Sequence, residues 1–325
     1  MRGKIVVLLL AVILPPWVLA QTGATSADAK ARAQEVLKKA RAALGDEAKL
    51  NALQSLSVSV GYRRVMGERE TAGEMTYEFL FPSKFLRTDV FSPFPGLDIT
   101  NTQVINGDRV WTDFQSSNPN MAQGAGRGGG GMMFGGPPGQ NRDQAIQAEF
   151  GRLLLCWLLT TPSSLPVEFT YAGEAKSKDG MADAIDVTGP NNFKARLFFD
   201  QQSHRLLMLS YMTKQPPRMN FGRGPEAQGR PPEGRRPESE LTPEERERLR
   251  AEREKRMKEL QEAWAKAPDV EVRWFVSEFR DINGIWLPHR LVKSTGSQVN
   301  EEWEIKKVKI NPKLKPEKFE KKEKS

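Results

Sequence analysis

Side chains that could do chemistry are few in this sequence, and they are scattered. The two histidines, His204 and His289, stand far apart, the first in a turn sequence and the second directly after Pro288 at the start of a strand-like run. Neither belongs to a cluster with metal-ligand spacing. Asp183 with Asp186, and Glu301 with Glu302, have the residue types of an acid–base pair, but such spacings are common on turns and sheet edges. No Gly-x-Ser-x-Gly elbow is present. The single cysteine, Cys156, lies inside the run Leu153-Leu154-Leu155-Cys156-Trp157-Leu158-Leu159, where a thiol packs as a small hydrophobe and has no second cysteine to bridge. A glycine-rich run around Gly128 to Gly131 lacks the Gly-Lys-Ser/Thr ending and the strand-to-helix junction of a phosphate loop. Arg127 among these glycines resembles RNA-binding segments only superficially. The expectation is a chain without catalysis, metal, cofactor or nucleic-acid partner.

What remains is apolar surface in a telling arrangement. Asp143 to Leu159 reads as a helix whose first half is amphipathic and whose second half is apolar almost all round. Such a helix must be covered on several sides, either as core filler or as a plug in the mouth of a bent sheet. Leu154, Trp157 and Leu158 are its candidate ligand contacts. Strand-like segments flank it: Ser55 to Val65, Glu74 to Phe81, Phe85 to Phe91, Ile99 to Ile105 and Arg109 to Phe114 before it. Leu165 to Lys176, Ala182 to Val187, Lys194 to Phe199 and Arg205 to Met212 follow. Three more strands come after Val270, where Val270, Val272, Trp274 and Val276 alternate as a sheet with one buried face. Turn residues such as Asn106-Gly107-Asp108 and Asn283-Gly284 separate the segments without intervening helices, which predicts a curved antiparallel sheet of about twelve strands.

The ends and insertions organise the rest. Arg2 and Lys4, the apolar run Ile5 to Leu14 and Val18-Leu19-Ala20 read as an export signal over residues 1–20, with the mature chain starting near Gln21. Residues 21–325 then form a single domain. Ser26 is placed to cap a helix through Leu44, with Ala33, Val36, Leu37, Ala40 and Leu44 on one face. Two insertions interrupt the strands. Residues 115–140 are glycine-rich, predicting a mobile loop with an apolar tip at Met132, Met133 and Phe134. Residues 215–268 begin Pro/Gly/Arg-rich and continue, from a capping box at Thr242-Pro243-Glu244-Glu245, into a solvated helix to about Ala265. The formal charge is +8, lowered by two on signal removal. Its surplus sits in the basic tail, 313–325, which is expected to be solvated, with transient contact to a membrane surface as the other reading.

Several of these features resemble the LolA/LolB-like superfamily of periplasmic lipoprotein carriers. Pro82-Ser83-Lys84-Phe85, a strand, then Val104-Ile105-Asn106-Gly107-Asp108-Arg109-Val110-Trp111 looks like the hairpin of that family, and Arg196 to Asp200 with Arg205 to Leu209 like a further one. The closing Ile310-Asn311-Pro312, then Phe319 and lysines, is similar to the family's ending. The resemblance implies a mainly β (α+β) fold, an unclosed β-barrel with helices in or over its concave face, where the family accommodates acyl chains. It also implies a periplasmic binding or carrier protein for a lipid or lipidated protein, and adds Phe81 and Trp111 to Leu154, Trp157 and Leu158 as residues of an apolar cavity or lid. One departure stands out. The family commonly carries an arginine directly before the turn proline, bonded to the lid, and this chain has Phe81 there. Arg87 is near in sequence, with nothing in the sequence to orient it. The alternative function is a protein-interaction or regulatory module on the same scaffold, its concavity filled by its own side chains.

Overall fold

The computed structural model describes residues 18–20, 26–66, 69–94, 96–118, 141–177, 180–215 and 242–321. Most of the 115–140 insertion, the first part of the 215–268 insertion, and residues 1–17 of the expected signal lie outside these. One antiparallel sheet forms the body of the molecule, and its strands are β1 (Val18–Ala20), β2 (Ser55–Met66), β3 (Arg69–Leu80), β4 (Lys84–Phe94), β5 (Leu97–Asn106), β6 (Arg109–Ser116), β7 (Glu168–Ser177), β8 (Gly180–Gly189), β9 (Phe193–Asp200), β10 (Leu206–Lys214), β11 (Asp269–Ile282), β12 (Ile285–Thr295) and β13 (Gln298–Ile310). The helices are α1 (Ser26–Leu44), α2 (Glu47–Asn51), α3 (Arg142–Leu158) and α4 (Pro243–Lys266), with a 3-10 turn at Pro316–Phe319.

The order across the sheet is β1-β7-β8-β9-β10-β11-β12-β13-β2-β3-β4-β5-β6. Two meanders, β2 to β6 and β7 to β13, are joined where β13 pairs with β2 through Trp303↔Tyr62 and Ile305↔Val60. Strands β1 and β6 are the edges and do not pair with each other, so the barrel stays open; β1 falls within the expected signal, and without residues 1–20 the edge on that side is β7. Local chemistry sets the hairpins. Asn283 and Gly284, at φ 56° and 85°, supply the two positive-φ positions of a primed turn between β11 and β12. The helical insertion leaves and rejoins at one point of the sheet: Gln215 N donates to Pro268 O (2.9 Å), and Lys214 pairs with Asp269 (3.2 Å). Its helix begins with the expected box, Glu245 N donating to Thr242 Oγ1 (3.2 Å) and Thr242 N to Glu245 Oε2 (2.8 Å).

Curvature follows from α3. This 17-residue helix is about 25 Å long, yet it touches β6 at one edge and also β10 and β12. Strands β10 and β6 are eight places apart in the order, which would put them about 38 Å apart in a flat sheet. The sheet therefore wraps around the helix. Inward residues of β2 to β5 and β8 to β13 join α1 and α3 in one apolar core, with Leu56, Phe79, Phe85, Ile99, Leu154 and Ile185 fully buried.

The described lysines of the tail, Lys313, Lys315, Lys318 and Lys321, are exposed as expected, but the segment also docks on the sheet. Asn311, at φ 52°, turns the chain after β13, its Oδ1 accepting from Gln54 N (2.8 Å) and Ser55 N (3.2 Å). The chain then crosses the outer face of the sheet and buries Phe319 completely against Leu86 and Val104. Lys318 binds Glu78 (2.8 Å) and Lys84 binds Glu320 (3.2 Å). Burial of the aromatic ring over apolar outward residues anchors the segment while the neighbouring lysines stay in water.

Candidate functional site

The concave face has an apolar end and a charged end, both closed by α3. At the apolar end Trp157, 2 % exposed, meets Tyr77 (ring centroids 5.5 Å) and Phe79 (5.9 Å) edge-on. Phe79 in turn stacks on Phe81 (5.9 Å) and meets Phe85 edge-on (5.6 Å). Leu154 and Leu158 are buried in the same core, and Phe81 is half-buried against it. Four of the five residues nominated from sequence thus come together. Trp111 does not: its neighbours Val110 and Phe114 face the core, while Trp111 points to the opposite face and packs in the Leu86–Val104–Phe319 cluster. The family resemblance places it in the cavity, but strand alternation decides the face.

The charged end was not nominated from sequence. Strand β4 places Arg87 and Asp89 in phase with the buried Phe85 and Phe91. Asp89 accepts from Tyr62 Oη (2.7 Å) and from Arg87 Nη2 (3.2 Å), with Arg64 Nη2 at 3.8 Å. Arg64 binds Glu301 through both nitrogens (3.2 and 3.1 Å), and Trp303 Nε1 donates to the same carboxylate (2.6 Å). Tyr62 reaches Asp89 across β3 because residue 73 is glycine: a Cβ there would stand 2.6 Å from the Tyr62 hydroxyl. Glu149 of α3 completes the group, its Oε1 accepting from Arg87 Nη1 at 3.1 Å. Arg87 therefore does point at the helix, from a different strand position than the family's turn arginine.

Lys293 lies over the Trp274 ring (5.2 Å) and Arg152 of α3 over Tyr211 (3.8 Å), and neither forms an ion pair among the described residues. Burial and the Asp89 charge push the Tyr62 phenol up, so it stays a neutral donor. Desolvation works to raise the Glu149 carboxyl, but the Arg87 and Lys293 charges outweigh it and hold the group below the usual carboxylate range. Glu301 behaves alike, desolvation being outweighed chiefly by Arg64 and Lys293. Burial pushes the Cys156 thiol up, as expected of a packed, unreactive cysteine.

Two clefts flank Trp274, one beside Lys293 and one beside Arg87 and Glu149, each of about 10 Å³, room for roughly one water. Among the described residues some donors there have no acceptor: Arg87 Nε, Arg152 Nε, Trp274 Nε1 and, deeper, Trp157 Nε1. The carboxylate pairs read from sequence are separated by strand alternation. Asp183 accepts from Tyr171 (2.9 Å) while Asp186 binds Arg196 (2.6 Å), and Glu301 faces inward while Glu302 binds Arg63 (3.2 Å). His289 is buried with Nδ1 3.0 Å from Leu287 O, and His204 sits in the β9–β10 turn at φ 57°.

Comparison with solved structures finds likenesses at low TM-score and low identity. A domain from Vibrio parahaemolyticus named for outer membrane lipoprotein sorting shares 8% identity at a TM-score of 0.45. A LolA superfamily protein from Nitrosomonas europaea shares 11% at 0.40, and a DUF1329 family protein from Desulfovibrio piger 8% at 0.40. Each alignment covers 89% of this chain and 97% of the other. These are likenesses of overall architecture. Neither a protein-family model nor a curated protein sequence matches the chain.

Proposed function

We propose that the chain is an exported, non-catalytic binding or carrier protein for an apolar ligand, a lipid or lipidated protein, which enters the concave face by displacing α3. The observation that carries this reading is the helix itself. Helices α1 and α3 fill the open sheet, and α3, whose second half is apolar all round, is held to the wall among the described residues by one charge pair, Arg87 to Glu149, in its amphipathic first half. The closed state also leaves Trp157 Nε1 and Arg152 Nε without acceptors, each worth roughly 1–3 kcal/mol against closure. An acyl chain that replaces α3 recovers the apolar contacts at about 0.8 kcal/mol per buried methylene and frees these donors to find water. The N-terminal apolar run and its small-residue cleavage site support delivery to a periplasm.

Hydrogen exchange tests this directly. On addition of palmitate or a lipopeptide at micromolar concentration, amides of α3 should lose protection while those of β2 to β5 keep theirs. Ligand bound with α3 still protected would show that the helix is core and not a lid. The second reading, an interaction module, is favoured by the filled face and by the projecting α4, whose Met257 is 43% exposed. Failure of any acyl chain to bind the folded protein would select it.

A further inference from the structure

With α3 set aside, the charged end of the concave face carries a positive surplus. Arg64, Arg87 and Lys293 stand on the sheet against Asp89 and Glu301, and α3 brings one charge of each sign, Glu149 and Arg152. Displacing the helix takes the Glu149 carboxylate away from Arg87 Nη1. Arg87, with its side chain 9% exposed, then keeps among the described residues one ionic partner, Asp89, which Tyr62 and Arg64 already share, besides Met75 Sδ and the Tyr77 ring. Losing this carboxylate leaves the mostly buried Arg87 short of one anionic partner, a place that an arriving anion would take. Two donors at this spot, Arg87 Nε and Trp274 Nε1, lack acceptors even in the closed state, and both residues line the cleft that Glu149 borders. Lys293, over the same Trp274 ring, borders the cleft on its other side.

We infer that the ligand is an anionic amphiphile, whose phosphate, sulfate or carboxylate head takes the place of Glu149 on Arg87 and is shared with Lys293 while its chain takes the place of Leu154, Trp157 and Leu158. The inference rests on the binding function proposed above and names its substrate class. From Glu149 to Trp157 the helix rises about 12 Å, so head and chain positions fall within the length of one molecule. In the closed state Glu149 is the stand-in for the head group on Arg87, and because Arg152 comes with the same helix the face keeps a surplus of one positive charge whether α3 is in place or not.

The test uses the full chain with three probes of equal chain length below their micelle thresholds: dodecyl phosphate, neutral monolauroylglycerol and dodecyltrimethylammonium. Inorganic phosphate serves as the chain-free arm. Affinities are measured by calorimetry for the wild type, Lys293→Met and Arg87→Met, with thermal melts to verify folding. Dodecyl phosphate should bind at least about tenfold more tightly than the neutral probe, with the cation weakest and inorganic phosphate not binding at millimolar concentration. Lys293→Met, which breaks no ion pair, should narrow the anionic-to-neutral ratio to below about threefold and so keeps the test valid if Arg87→Met does not fold. Equal affinity for anionic and neutral probes, or a ratio untouched in Lys293→Met, overturns the head-group inference and leaves the carrier reading standing. Tight binding of inorganic phosphate alone would make this a free-anion site and overturn it too. Failure of every chain to bind ends both readings.

Discussion

If Arg87–Glu149 is what fastens α3, then Glu149→Gln should open the helix without loosening the sheet. Glu149's side chain is 40% exposed and Arg87 keeps Asp89 at 3.2 Å, so the loss falls well below that of a fully buried pair. About 1 kcal/mol is the working figure, near the top of the range for exposed pairs. That corresponds to roughly a fivefold rise in the population of the open state, and apparent acyl-chain affinity should rise by about the same factor because only the open state binds. Native-state hydrogen exchange reads the first quantity as a fall in protection confined to Arg142–Leu158. The pH dependence has a fixed sign. Glu149 titrates below its ordinary value in the folded chain, so its contribution is complete above about pH 4.3, the unfolded value, and is lost as pH falls through the depressed folded value. Wild-type α3 should therefore become less protected below about pH 4, and Glu149→Gln should flatten the part of that step due to this residue. Protection lost equally from α3 and from β2 to β4 would refute the reasoning, since the pair would then support the whole domain.

Trp157→Ala should destabilise the folded chain by about 3–5 kcal/mol, read by chemical denaturation, because the indole is enclosed by Tyr77, Phe79 and the α3 leucines. A value under about 1 kcal/mol would mean the helix end is loosely packed. Phe319→Ala should cost a similar amount and raise exchange chiefly in β4 and β5, whose outward residues it covers; unchanged exchange there would show the tail to be a passive cover. Thr242→Ala should weaken α4 by about 1 kcal/mol without shifting the global unfolding midpoint, since the helix projects from the β10–β11 junction; a shifted midpoint would mean α4 is part of the cooperative unit. Amino-terminal sequencing of protein expressed in a host with an outer membrane should find the chain starting near Gln21, and an intact Met1 would contradict the export reading.

Features whose physics is local were legible in the sequence. Helix α1 spans Ser26–Leu44 with its one-sided apolar positions buried as expected, while Ser26 is its first helical residue rather than its cap, and the Thr242 box and the Asn283-Gly284 turn are equally self-contained. The sheet and its apolar core followed from alternation. The charged end did not, although its signal was present: in Phe85-x-Arg87-x-Asp89-x-Phe91 the two charges share the parity of two buried rings. A charge on a strand is ordinarily assigned to water, and only partners distant in sequence make an inward charge affordable. Those partners are 62 residues away for Arg87 to Glu149 and 237 for Arg64 to Glu301. Neighbouring carboxylates such as Glu301 and Glu302 mislead for the converse reason, because adjacent strand residues face opposite sides. Parity also separates Trp111 from the other nominated residues and sets the outward Leu86 and Val104 under Phe319. Inward charge in phase with buried aromatics is costly to maintain in a plain core, where apolar residues of similar volume would serve as well or better. Its presence opposite the polar end of α3 is therefore the strongest physical reason to treat that helix as a part that moves.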